Sequence, residues 1–297
     1  MARGMVGRRL LAAGAAALLV GARTGAAGAA AAGGTLAAEL ARIEAASGGR
    51  LGVAIRDTRT GRLAGHRADE RFPLCSTAKV LSCAALLARV DAGQETLARR
   101  IRFGAADLVA WSPVTKARAG GAGMTLAALC EAAITVSDNT AANLILAAIG
   151  GPAGVTAFAR GLGDPVTRLD RTETALNAAT PGDPRDTTTP AAMAADLQAL
   201  VLGDRLSAPS RARLAGWLLA CRTGAAKLRA GLPAGWRVGD KTGSGGHGSS
   251  NDVAVVWPPG RAPLIVCAYL TQTGATPEAQ SATIAAVGRA VAGWRAD

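Results

Sequence analysis

Strand-like segments lie only near the two ends of this 297-residue chain, and the long stretch between them is written in a helical period. Residues 51–57 (LGVAIRD) alternate like a strand, and Thr60-Gly61 turns the chain toward a second short strand at 62–67. Three more strand-like runs, 235–242, 251–257 and 263–271, crowd the C-terminal part, the last two split by Pro258-Pro259-Gly260. A helix over 35–47, capped by Thr35, precedes the first strand, and one over 277–295, with Pro277 in its first turn, follows the last. Residues 75–220 are rich in Ala and Leu and read as helices, with loops at 103–124 and 160–190. Strands so far apart in the chain find partners by sharing one sheet, so the helical block is an insertion into an α/β body. Such a chain has a seam between two bodies, and ligands favour such seams.

Composition narrows the function classes. The chain is 49% hydrophobic and 18% charged, enough to bury a core. It carries a net charge of +12, which falls to +8 without the four arginines of the first 33 residues. The remaining arginines are scattered, and aromatics make up only 3%, so a stacking platform for nucleic acid is poorly supplied. The two histidines, His66 and His247, sit in polar, Gly-containing stretches and read as loop or strand-edge residues. That leaves little for a His-rich metal hydrolase, and no metal or organic cofactor is expected. Residues 1–33 have the three parts of a secretory signal: Arg3, Arg8 and Arg9, then the apolar run Leu10 to Val20, then small residues with A-x-A-like sites. Arg8-Arg9 also permits the twin-arginine route. The mature protein is therefore expected outside the cytoplasm, where disulfides form. Five cysteines, none in a CxxC pair, leave at least one unpaired in a monomer.

Four short motifs carry chemistry: Ser76-Thr77-Ala78-Lys79, Ser137-Asp138-Asn139, Glu173-Thr174-Ala175-Leu176-Asn177 and Lys241-Thr242-Gly243. Their joint occurrence by chance at this composition is below about one in a million. Two of only four lysines fall in them. If Ser76 opens a helix, Lys79 lies one turn on, on the same face. A buried amine beside a hydroxyl loses basicity and can accept the serine proton. A helix N-terminus favours negative charge developing near Ser76. Taken alone, the pair also reads as a helix start followed by a surface lysine. Lys241 falls on a strand that ends in Gly-rich sequence, where a ligand's backbone or carboxylate can approach closely.

With these motifs in this order, the chain resembles the class A serine β-lactamases from about residue 36 to the C-terminus. Trp111-Ser112-Pro113-Val114 and the stretch Pro181 to Pro190 fit the family as well. The resemblance implies an antiparallel sheet flanked by helices with an inserted all-helical domain. After the signal at 1–33, it implies a discontinuous α/β domain of 34–70 and 220–297, and an all-α domain of 71–219 with an active-site loop near 168–186. It implies Ser76 as nucleophile, Lys79 as its proton partner, and Ser137 as the relay to the departing ring nitrogen. The backbone N–H groups of Ser76 and Ser244 would form the oxyanion hole. Asn139 would hold the substrate's side-chain amide, and Lys241, Thr242 and Ser244 its carboxylate. Glu173 and Asn177 would hold the hydrolytic water. A penicillin-binding protein shares the other three motifs but stalls at the acyl-enzyme, so Glu173 separates the two readings. Arg171 and Asp186 match the pair that ties the neck of this loop, and Asp138 is assigned to holding a loop.

Other implications are narrower. Cys83 and Cys130 match a disulfide between two helices found in many members. Cys75 precedes the nucleophile, but its partner position in carbapenem-hydrolysing relatives is here Gly245. Many members place an arginine after K-T-G to meet the substrate carboxylate, and here that position is Ser250. Lys227, or else Arg222, is the candidate replacement. The Glu173-Thr174 bond is often cis in the family. Trp111 would form the aromatic wall, with core packing as its alternative. Small-molecule β-lactams, both penicillins and cephalosporins, are the expected partners of a monomer that takes neither nucleic acid nor a membrane span.

Overall fold

The computed structural model describes residues 27–295, with side-chain surroundings from residue 36 onward. The first elements are α1 (Ala27–Ser47), β1 (Arg50–Asp57), β2 (Leu63–His66), β3 (Phe72–Pro73) and α2 (Ala78–Asp91). Then come β4 (Arg100–Ile101), β5 (Met124–Thr125), α3 (Leu126–Thr135), α4 (Asn139–Ala148), α5 (Pro152–Leu162), β6 (Thr187–Thr188), α6 (Pro190–Val201) and α7 (Ala208–Leu219). The chain closes with α8 (Leu228–Gly231), β7 (Arg237–Gly245), β8 (Ser249–Trp257), β9 (Leu264–Thr271) and α9 (Pro277–Gly293).

The strands from both ends form one antiparallel sheet in the order β2-β1-β9-β8-β7. Both of its faces are covered, and the pleat divides the side chains between two cores. Val53, Ile55, Ala254, Val256, Val266 and Leu270 face Leu40 and Ile43 of α1 and Ile284, Val287 and Val291 of α9. Their neighbours Ala54, Val253, Val255, Cys267 and Tyr269 face the helical block. This two-sided burial explains why the strands read as near-continuous apolar runs. The block is built around α2, whose residues from Ala78 to Leu87 are all buried.

Two boundaries differ from the sequence reading, and one expectation lies mostly outside the described residues. The first helix runs through Thr35 instead of starting there, because the Ala-rich stretch before it has high helix propensity. Residues 1–26 of the expected signal lie outside the described residues, and 27–33 fall within α1. The K-T-G strand continues past Gly243 to Gly245, held by pairing with β8. His66 ends β2 and contacts Glu44, while His247 sits in the β7–β8 turn, so both are the strand-edge and turn residues expected. Among the described residues, no single helix is long and apolar enough to cross a membrane.

Candidate active site

A cleft of about 380 Å³ opens where β7 meets the helical block, lined by Ser76, Trp111, Ser137, Asn139, Asn177, Lys227, Thr242 and Ser244 among others. Beneath it lie Lys79, Glu173 and Lys241, all buried. The cleft draws on six stretches of chain that the fold brings together. Ser76 sits in a 3-10 turn, Cys75–Thr77, that leads into α2. Cys75 adopts a φ of 47°, and Leu74 N–H donates to the Asp186 carbonyl at 2.8 Å, which fixes the turn to the loop behind it.

Lys79 is one turn beyond, as its spacing requires. Its Nζ lies 2.9 Å from Ser76 Oγ, 2.9 Å from Ser137 O, 3.1 Å from Ser137 Oγ and 2.6 Å from Asn139 Oδ1. It also lies 2.9 Å from Glu173 Oε1. An ammonium has three N–H donors, so these acceptors exceed its capacity and share it. Burial pushes the Lys79 ammonium below the usual lysine range, against the opposing charge of Glu173. Glu173 Oε1 is 3.4 Å from Ser76 Oγ, and its other oxygen accepts from Asn177 Nδ2 at 2.5 Å. Serine, lysine and glutamate thus form one closed hydrogen-bonded group.

Glu173 is held from two sides. Asn143 accepts from Glu173 N–H at 2.8 Å and donates to the Glu173 carbonyl at 2.9 Å. At the neck of the loop, Arg171 Nε meets Asp186 Oδ2 at 2.5 Å, as the resemblance implies, and Asp186 also accepts two backbone N–H groups. The Glu173-Thr174 bond is cis. Sequence reasoning gave no role to Asn143. A signal did exist in its spacing: Asn139 and Asn143 are four apart in α4 and share a face.

On the opposite wall, Lys241 Nζ donates to Ser137 Oγ at 3.0 Å and to Thr242 O at 2.7 Å. Ser137, at a φ of 60°, therefore bridges the two lysines. Burial, and secondarily the charge of Lys79, pushes the Lys241 ammonium down to about 7. Thr242 Oγ1 lies 2.6 Å from Thr223 Oγ1. Strand β7 reaches the nucleophile turn because Gly243 has no side chain: a Cβ there would stand 3.1 Å from both Cys75 Cβ and the Leu74 carbonyl.

The alternatives left open by sequence now separate. Lys227 lines the cleft, with its Nζ donating to the carbonyls of Gly243 at 3.2 Å and Asn251 at 3.1 Å. Arg222 lines a different groove, with Arg100 and Arg118. Trp111 is 65% exposed and lines the cleft, with its Nε1–H tied to the Val136 carbonyl, so it is a wall and not core packing. Asn139 spends its Nδ2 on the Ala110 carbonyl at 2.8 Å and its Oδ1 on Lys79. Asp138 caps α4 and accepts the N–H groups of Val114 and Thr115, which is the loop-holding role expected of it. Cys83 and Cys130 are buried free thiols, with Cys83 Sγ 4.0 Å from the Cys130 carbonyl, so the expected disulfide is not formed in this structure. Cys75 is also a free thiol, pushed up to about 12 by burial, and a Cβ on Gly245 would stand 2.7 Å from its Sγ.

Comparison with known proteins agrees with this arrangement. A sequence profile of the Beta-lactamase enzyme family matches residues 35–294. The chain is 55% identical to β-lactamase AST-1 of Nocardia asteroides over 251 residues, 84% of this chain and 81% of that protein. It is 50% identical to β-lactamase CTX-M-8 of Citrobacter amalonaticus over 253 residues, 85% of this chain and 87% of that protein. An ancestral class A β-lactamase, GNCA, superposes with a TM-score of 0.85 at 64% identity, covering 86% of this chain and 98% of its own. A putative class A β-lactamase from Rhodopseudomonas palustris superposes at 0.86 with 61% identity, covering 87% and 99%. Similarity of this depth, over nearly the whole folded chain, makes the protein a member of the class A β-lactamases.

Proposed function

We propose that this β-lactamase hydrolyses penicillins and cephalosporins in two steps, through an ester on Ser76 that a Glu173-activated water then cleaves. The contact that carries this reading is Lys79 Nζ at 2.9 Å from both Ser76 Oγ and Glu173 Oε1. In acylation, Ser76 Oγ bonds to the lactam carbonyl carbon and its proton leaves into the Lys79–Glu173 pair. The amides of Ser76 and Ser244 stabilise the oxyanion. The ring C–N bond then breaks, and the nitrogen takes a proton from Ser137 Oγ, which Lys79 and Lys241 both reach. In deacylation, Glu173 removes a proton from a water that Asn177 helps to hold, the hydroxide attacks the ester carbonyl, the bond to Ser76 Oγ breaks, and the proton returns to Oγ through Glu173 and Lys79. Lys241, Thr242 and Ser244 receive the substrate carboxylate, and Lys227 takes the place of the arginine that Ser250 replaces. Asn139 and Trp111 guide the substrate's side chain.

The chain is read as two bodies, 34–70 with 220–297 and the inserted 71–219, which meet at the cleft. Export, with loss of residues 1–33, places the work of this monomer outside the cytoplasm, and oxidation there joins Cys83 to Cys130. An intact mass reads both: the leader is missing, and the chain is lighter by two hydrogen atoms. The central test is the loss of benzylpenicillin absorbance with purified mature protein. Many turnovers are expected from the parent, and a single stoichiometric burst with a trapped adduct from Glu173→Ala. A single burst from the parent as well would overturn the reading and point to a penicillin-binding or sensor protein.

A further inference from the structure

Behind the carboxylate-facing wall lies a charged layer that the chemistry above does not use. Asp252 of β8 is fully buried, directly opposite Thr242 in the β7–β8 register. Its Oδ2 accepts the N–H of Leu228 at 3.1 Å, and its Oδ1 is buried with no hydrogen-bond partner. Leu228 is the residue after Lys227, so Asp252 grips the chain next to that lysine. A buried carboxylate with an unmatched oxygen is costly unless a cation stands nearby. Lys227 is also buried, and its two acceptors are neutral carbonyls, one of them on Asn251, the neighbour of Asp252. Those two bonds leave one N–H of the ammonium for the cleft.

We propose that Asp252 is a positioning residue for carboxylate recognition: it anchors the Leu228 amide and supplies the counter-charge that keeps Lys227 aimed into the cleft. This rests on the reading that Lys227 receives the substrate carboxylate. Burial works against the charge on both groups: it pushes the Lys227 ammonium below the usual lysine range and the Asp252 carboxyl well above the usual carboxylate range, and each is the largest charge opposing that shift in the other. The other charged or titratable groups around the pair are Asp240 and Lys241 on β7, Cys75 beside Ser76, Cys221 after α7 and Cys267 on β9. Asp240 pairs with Arg229 through one oxygen and has its other oxygen unmatched as well, but Asp252 is the carboxylate whose hydrogen bond holds the chain beside Lys227.

The experiment compares a cephalosporin carrying its free carboxylate with the same compound as a methyl ester, across pH. Asp252→Asn keeps an oxygen for the Leu228 amide and removes the charge. KM for the free acid should rise about tenfold, with kcat changed less than about twofold, and the ester should be unaffected. With the counter-charge gone, Lys227 deprotonates more easily, so the rise in KM should begin at lower pH than in the parent. The double variant Asp252→Asn/Lys227→Arg should recover the parent KM, because a guanidinium stays charged without a counter-ion. Loss of kcat and binding together at every pH, without rescue by arginine, would reduce Asp252 to a structural role and overturn the inference. Lys227→Ala tests the underlying reading by itself. If it leaves free acid and ester equally well handled, that reading fails; if it raises KM for the acid while Asp252→Asn does not, only the positioning role of Asp252 fails.

Discussion

The two walls of the cleft treat their lysines in opposite ways. On the helical wall, Lys79 is paired with a buried carboxylate, Glu173, at 2.9 Å. On the sheet wall, Lys241 and Lys227 are held by hydroxyl and carbonyl oxygens, with no carboxylate in hydrogen-bond contact. Within an ion pair a proton can pass from the ammonium to the carboxylate without a change in net charge, which suits a site that must take up and return the serine proton. An ammonium held by dipoles has no carboxylate bound to it, so while it is charged it is free to face an anion. Burial alone therefore does not decide what a lysine does in this cleft; the identity of its acceptors does.

The sharpest break of this comparison is Glu173→Gln, which removes the charge from the helical wall alone. Deacylation should slow by about 10³-fold while the ester still forms, read as accumulation of an acyl adduct by mass. Next comes the neck of the loop that carries Glu173. Asp186→Ala leaves Arg171 and two backbone N–H groups without their acceptor and should cost about 3–5 kcal/mol, read as a lower denaturant midpoint. In what stays folded, deacylation should suffer more than KM.

The sheet wall is tested by pH. Lys241 sits at about 7, so it is charged below that value and neutral above it. KM for a carboxylate-bearing penicillin should therefore rise by up to about tenfold per unit above the midpoint. Lys241→Arg should remove the rise over the same range, because its charge does not titrate there. The smallest expected effect sharpens the contrast between the two basic candidates: Arg222→Gln should leave kcat/KM within about twofold, since its groove is separate from the cleft.

Much of this was legible in the residues. The i to i+3 spacing places Lys79 over Ser76, because a helical turn is local geometry; Asn177 beside Glu173 was implied only by the family resemblance, since Glu173 lies before the short turn Ala175–Asn177. Strand positions were readable because the apolar runs of β8 and β9 match two covered faces. The Asn143 clamp was overlooked because its spacing from Asn139 fixes only a shared helix face, and its partner, Glu173, comes from a loop 30 residues on. Lys227 and Arg222 could not be separated by sequence, being five residues apart in an irregular segment whose path is set by what it packs against.

The sequence by itself determined the element types, the insertion of a helical block between strands, and the set of reactive groups, because period, spacing and residue chemistry are local properties. Tertiary structure decided which groups meet. Ser76 and Glu173 are 97 residues apart in the chain, and Lys241 Nζ bonds Ser137 Oγ across 104. Contacts of that range form only when the sheet closes over the block, and the burial that closure imposes sets how each lysine holds its proton.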